Sequence, residues 1–209
     1  MSNPQTNAEE TFLGLLVDYG GVLTNPLIPV LQEFCRSKSL PENAVMEMIS
    51  QDGPRQAHFH AYERGELTEE EFLPLFADWL GLPVSDIDGM LIELKPDLQM
   101  FQAVAEVRRQ GIRTCLLSNS WGTALYPRDL LAESFDEVVI SEEVGMRKPE
   151  AQIFALAAKR IGLRPSQCLF IDDMPSNFSG AHELGIAVIH HESPEVTIRE
   201  IERLLRIQL

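Results

Sequence analysis

Cysteine is scarce in this chain. The three present, Cys35, Cys115 and Cys168, are odd in number and include no CxxC pair. That excludes a disulfide framework and a zinc ribbon. Cys115 and Cys168 fall in apolar runs expected to be buried strands, where a thiol acts as a small core residue in a reducing compartment. Positive charge is also scarce: 17 Lys and Arg stand against 32 Asp and Glu, for a formal net charge of -15. The acids are spread along the chain, so nothing offsets phosphate repulsion over a wide surface, and nucleic acid is excluded as a partner. A small anionic substrate is compatible if a cation or a few local donors receive it. No apolar run reaches bilayer length, and the start of the chain has no basic stretch followed by an apolar one. A cytoplasmic protein without membrane contact is expected. Internal repeats and low-complexity tracts are absent.

What is present is organised around Leu15-Leu16-Val17-Asp18-Tyr19-Gly20-Gly21. An apolar run too short for a helix and closed by glycine reads as a strand buried on both faces. Asp18 then stands at its carboxyl end, where open α/β sheets place their ligands. The residues before it, 1–10, are polar and expected to be disordered. From Pro26 to Lys95 the pattern is helical throughout, with helices expected over 27–35, 41–49, 54–64, 68–80 and 85–94. Thr68-Glu69-Glu70-Glu71 is a capping box, and Phe72, Leu75, Phe76, Trp79 and Leu80 follow on one face. From Pro96 helix and strand alternate, with strands at 112–117, 137–140, 167–171 and 186–190. The expectation is an α/β protein: a Rossmann-like, three-layer core on a parallel sheet (11–25 and 96–209) carrying an inserted all-α cap (26–95).

Four strand ends carry polar groups: Asp18, Ser118-Asn119, Lys148 beyond the third strand, and Asp172-Asp173. In a parallel sheet these ends share one edge. Three carboxylates in one crevice repel each other unless a cation sits among them. Hard carboxylate oxygens suit Mg²⁺, which works beside phosphate. A hydroxyl, backbone amides and an ammonium are the donors a phosphoryl group needs. The set reads as a magnesium-assisted phosphoryl-transfer site with an aspartate nucleophile.

The motifs Leu16 to Leu23, Leu116 to Ser120, Gly145 to Glu150, and Phe170 to Asp173 with Asn177 occur in one order. In that order the sequence resembles the haloacid dehalogenase-like hydrolase superfamily, in the subgroup with a helical cap after the first strand. Within it the sequence is similar to the sugar-1-phosphate phosphatases and to the phosphatase domain of soluble epoxide hydrolases. The resemblance implies that Asp18 is the nucleophile and Lys148 its charge partner. Ser118, Asn119 and Gly21 would receive the phosphoryl group, with Trp121 lining the pocket beneath the cap. Mg²⁺ would be held by Asp18, the Gly20 carbonyl and Asp173, with Asp172 binding or orienting a metal water and Asn177 supporting the loop. The implied reaction is hydrolysis of a small phosphorylated metabolite, a sugar phosphate being favoured.

Gly20 departs from the pattern. Most phosphatases of this superfamily carry a second aspartate there, which protonates the leaving oxygen and then activates water. Two further readings therefore stand beside the phosphatase: a weakly active or non-catalytic binding protein, and a haloacid dehalogenase. The second has little use for the Asp172-Asp173 pair. His58 and His60 read as surface or cap-packing residues, Trp79 as core, and Arg64 as solvent-exposed.

Overall fold

A computed structural model describes residues 11–87, 90–91 and 93–209. The stretch expected to be disordered, 1–10, lies outside them. Five strands form one parallel sheet: β1 (Gly14–Val17), β2 (Arg113–Ser118), β3 (Glu137–Ile140), β4 (Cys168–Asp172) and β5 (Ala187–His190), in the order β3-β2-β1-β4-β5. The chain builds outward from β1 to β3 on one side, then returns past β1 to β4 and β5. That reversal is the switch point at which such sheets open a crevice. In register, Val17 lies beside Leu116 on one neighbour and Ile171 on the other. The next backbone step carries the Asp18 N–H to the Ile171 carbonyl at 2.9 Å. Asp18 therefore stands opposite Asp172, and Ser118 follows one position further along β2, so register brings the three to one edge.

Alternation along β1 explains why the sheet is covered on both sides. Leu15 and Val17 join a core layer with Met100, Val104 and Val107 of α5 (Leu98–Arg109) and Ile201 and Leu205 of a C-terminal helix (Pro194–Leu205). Leu16 faces the opposite layer, with Ile153, Phe154 and Ala157 from the helix Ala151–Arg160. All three cysteines are buried and unpaired.

Between β1 and α5 lie α1 (Leu27–Ser37), α2 (Ala44–Ser50), α3 (Pro54–Glu63) and α4 (Glu69–Leu80). They enclose a separate apolar cluster around Leu31, Phe59, Phe72 and Phe76. The two chain segments that lead into and out of this block are tied together. Thr24 bridges Pro96, the Asn25 N–H donates to the Lys95 carbonyl at 3.0 Å, and the Asp97 N–H donates to the Leu23 carbonyl at 2.8 Å. The capping box of α4 forms as expected, and Gly81 ends that helix in the left-handed region. Two expectations need correction. Leu75 is exposed, because the buried face of α4 is formed by Phe72, Phe76, Ala77 and Leu80 and leaves it at the edge. The helix expected over 85–94 is reduced to a single 3-10 turn at Val84–Asp86 followed by turns at the described residues, with 88, 89 and 92 outside them. The short segment Ser141–Val144, one helical turn, was not anticipated. Among the described residues, no helix is long and apolar enough to cross a membrane.

Candidate active site

The floor of the crevice is a buried charge arrangement. Lys148, 1% exposed, places its Nζ 2.6 Å from Asp18 Oδ1 and 2.6 Å from Asp172 Oδ2. Asp172 is fully buried and saturated. Its Oδ1 accepts from the Met174 N–H at 2.8 Å, and Asn177 Nδ2 reaches both of its oxygens at 3.0 Å. Asn177 therefore holds the β4 loop to its own aspartate. Asp173, half-buried, completes a group in which one oxygen from each of Asp18, Asp172 and Asp173 lies within 4.8 Å of the others.

Burial and the neighbouring Asp172 raise the Asp18 carboxyl well above its usual range, against the pull of Lys148. Burial, then Asp172, push Asp173 up to about 6. Burial pulls Lys148 down, but Asp172 and Asp18 more than restore it, so it stays charged. One ammonium is thus not enough for three carboxylates, and the floor is short of positive charge. The donor set is all hard oxygen, which fits a magnesium ion.

The glycines divide the work. Gly21 has φ +76°, and a Cβ there would stand 2.2 Å from Asp173 Oδ2. Only glycine lets the β1 loop pass that close to the carboxylate. Its N–H donates to Thr24 Oγ1 at 3.0 Å, and Gly21 does not line the cavity, in contrast to the phosphate contact expected of it. Gly20 does line the cavity, and a Cβ there would meet nothing within 4 Å.

Asn119 lines the cavity. Its side chain clamps the main chain of Lys148, accepting from the Lys148 N–H at 2.8 Å and donating to the Lys148 carbonyl at 3.1 Å. Both ends of the amide are committed to placing the lysine. Ser118, at the tip of β2, accepts a hydrogen bond from the Tyr126 hydroxyl at 3.0 Å and faces the cavity. Trp121 lies beneath the cap as expected, its ring centroid 4.9 Å from that of Phe59 in an edge-on contact.

Above this floor is a cavity of about 420 Å³ roofed by the cap. Its lining includes Glu63, His60 and Arg147, none of them anticipated as site residues. Glu63, at the end of α3, is 3% exposed and ion-paired with Arg147 Nε at 2.6 Å. His60 stands one turn earlier, and burial followed by Arg147 lowers its ring to about 4, keeping it neutral. The sequence hints at the first pair only through Arg147 being next to Lys148. Around Glu63 the cap seats on the core: Ser141 Oγ donates to the Glu63 carbonyl, and Arg64 reaches Glu150 at 3.4 Å, so Arg64 is an interface residue. At Gly65, with φ +68°, a Cβ would stand 2.6 Å from the Glu142 carbonyl.

Comparison with known proteins agrees with this geometry. Over 95% of its length the chain is 30% identical to acyl-CoA dehydrogenase family member 10 of Mus musculus, spanning about a fifth of that protein. It is 24% identical to the sesquiterpene phosphatase astK of Aspergillus oryzae over 93% of this chain and 97% of that one. A HAD family enzyme from Bacteroides thetaiotaomicron, solved as an Asp12Ala mutant with magnesium and inorganic phosphate, matches 87% of this chain and 94% of its own. That match has a TM-score of 0.69 and 25% identity. The family model for haloacid dehalogenase-like hydrolases matches residues 12–185, and the chain belongs to that family.

Proposed function

We propose that the chain hydrolyses a small phosphomonoester in two steps through a phosphoryl group carried on Asp18. The observation that carries this reading is Lys148, buried between Asp18 and Asp172 beneath a cavity that Asp173 also lines. Lys148 fixes one oxygen of Asp18 and so aims the carboxylate. Asn119 and Asn177 hold the lysine and Asp172 in turn. Asp18 attacks phosphorus, the ester P–O bond breaks, and the alcohol leaves with a proton taken from water. A second water then attacks the aspartyl phosphate and releases phosphate. Ser118, which lines the cavity, would receive a phosphoryl oxygen. Mg²⁺, held by Asp18, Asp173 and the Gly20 carbonyl, would supply the positive charge that ionises Asp18 and neutralises the phosphoryl group. The saturated hydrogen bonding of Asp172 suits an orienting role better than direct ligation.

The test is phosphate release from an aryl phosphate with Mg²⁺, with chelator, and with Asp18→Asn. Turnover that stops in both controls is expected. A non-catalytic binding protein is the second reading, favoured by the empty space at Gly20. No release under any condition would replace the phosphatase with it, and chelator-insensitive release would remove the metal from the mechanism. The sugar phosphate favoured by the sequence would need polar partners along the cavity wall, and that wall offers few.

A further inference from the structure

Beyond its floor, the cavity is an apolar chamber. Ile28 enters it from α1, Met46 and Ile49 from α2, Phe59 from α3, and Leu94 and Trp121 from the two connections that flank the floor. The arrangement on α2 is informative. Val45 and Met48 are buried in the cap's own cluster, while Met46 and Ile49 pack against the edge of that cluster and also line the cavity. A helix needs only one apolar stripe to pack. This one carries two, and no side chain of the cap covers the second completely: Met46 and Ile49 stay half-buried, and Ile28 is 38% exposed. Apolar surface held open beside a charged floor is costly to hydrate and is characteristic of a ligand chamber. Most polar groups of the wall are already engaged: Glu63 and Arg147 bond each other, Gln56 Nε2 donates to the Ser50 carbonyl, and His60 is a single neutral ring, while the exposed Ser50 and Ser176 add hydroxyls.

We propose that the alcohol portion of the substrate is an extended apolar chain, so that the ester is an amphiphilic alkyl monophosphate rather than a sugar phosphate. This rests on the phosphatase reading for its head group. The phosphate lies on the Asp18 floor and the chain runs up between α2, Phe59 and Trp121. Burial of a remote chain also bears on the missing acid at position 20. Binding energy from a part of the substrate that does not react orients the ester for attack on phosphorus.

The experiment compares ethyl, butyl, hexyl and octyl phosphate with glycerol phosphate, a hexose phosphate and an aryl phosphate, in Mg²⁺. kcat/KM is expected to rise about fourfold with each added methylene, equivalent to about 0.8 kcal/mol per buried CH₂, until the chamber is full. Ile49→Gln and Met46→Gln are expected to flatten that slope. A flat chain-length series alongside aryl phosphate turnover overturns this inference and leaves the phosphatase standing. Loss of all turnover, aryl phosphate included, overturns the phosphatase. Calorimetry on the Asp18→Asn protein then still decides the chamber's ligand. Octyl phosphate binding tighter than glycerol phosphate, with a negative heat-capacity change, supports the inference, and equal binding sinks it.

Discussion

Gly20→Asp should raise the enzyme's activity, and the size of the gain depends on the substrate. Gly20 borders the cavity two residues beyond Asp18, lies outside the left-handed region, and offers open space where a Cβ would be. An aspartate therefore fits without strain. Its carboxyl would reach the side of the phosphoryl group from which the alcohol departs. General acid–base help is worth about 10²–10⁴-fold, or roughly 3–5 kcal/mol at 1.36 kcal/mol per tenfold. That help matters most when the leaving oxygen is most basic. An alkyl phosphate should gain close to the full range, while an aryl phosphate, whose oxygen leaves without a proton, should gain less than about tenfold. The substitution also removes a glycine from the unfolded chain, worth about 0.4–1 kcal/mol, set against one more carboxylate beside Asp18 and Asp173. Urea denaturation separates that effect from catalysis. The assay is kcat for hexyl and aryl phosphate with and without the substitution. Equal gains on both esters, or none in a protein of unchanged stability, would refute the assignment of position 20 to the leaving-group side.

Three other perturbations test the floor. Lys148→Met leaves two buried carboxylates without their partner and should cost about 3–5 kcal/mol at neutral pH. The loss should shrink in urea titrations at lower pH, because Asp18, raised in the fold, binds a proton there and that stabilising protonation is lost as pH rises. Gly21→Ala drives a Cβ into Asp173, and calorimetry should show weakened Mg²⁺ binding together with reduced turnover. With Asp173 raised to about 6, protons compete with the ion. Mg²⁺ affinity should fall as pH drops through that value, and Asp173→Asn should remove most of this dependence along with most of the affinity.

The carboxylate floor was legible because each member ends an apolar run. Leu15–Val17, Cys115–Leu117 and Leu169–Ile171 each read as a buried strand, and a parallel sheet makes their ends neighbours. The roles of the amides were less legible. Asn119 looks like a phosphate contact in sequence, but its side chain is satisfied by the main chain of a residue 29 positions away. The cavity wall could not be read from one dimension. Val45, Met46, Met48 and Ile49 look like one broad apolar face, and only packing divides them between cap core and chamber. Glu63 and Arg147 are 84 residues apart, and no local pattern joins them. Among the described residues of 85–94 the expected helix gives way to turns, because apolar spacing alone cannot tell a helix from turns that bury the same Ile87 and Leu91.

The seating of Glu63 against Arg147 makes the cleft responsive to protons. Burial holds the Glu63 carboxyl up at about 7, against the pull of Arg147. Any lifting of the cap would hydrate that carboxyl and return it towards its ordinary acidity, so opening would release a proton and closing would take one up. The pair that joins cap to core would thereby tie the cleft to the acidity of its surroundings, low pH favouring the closed form.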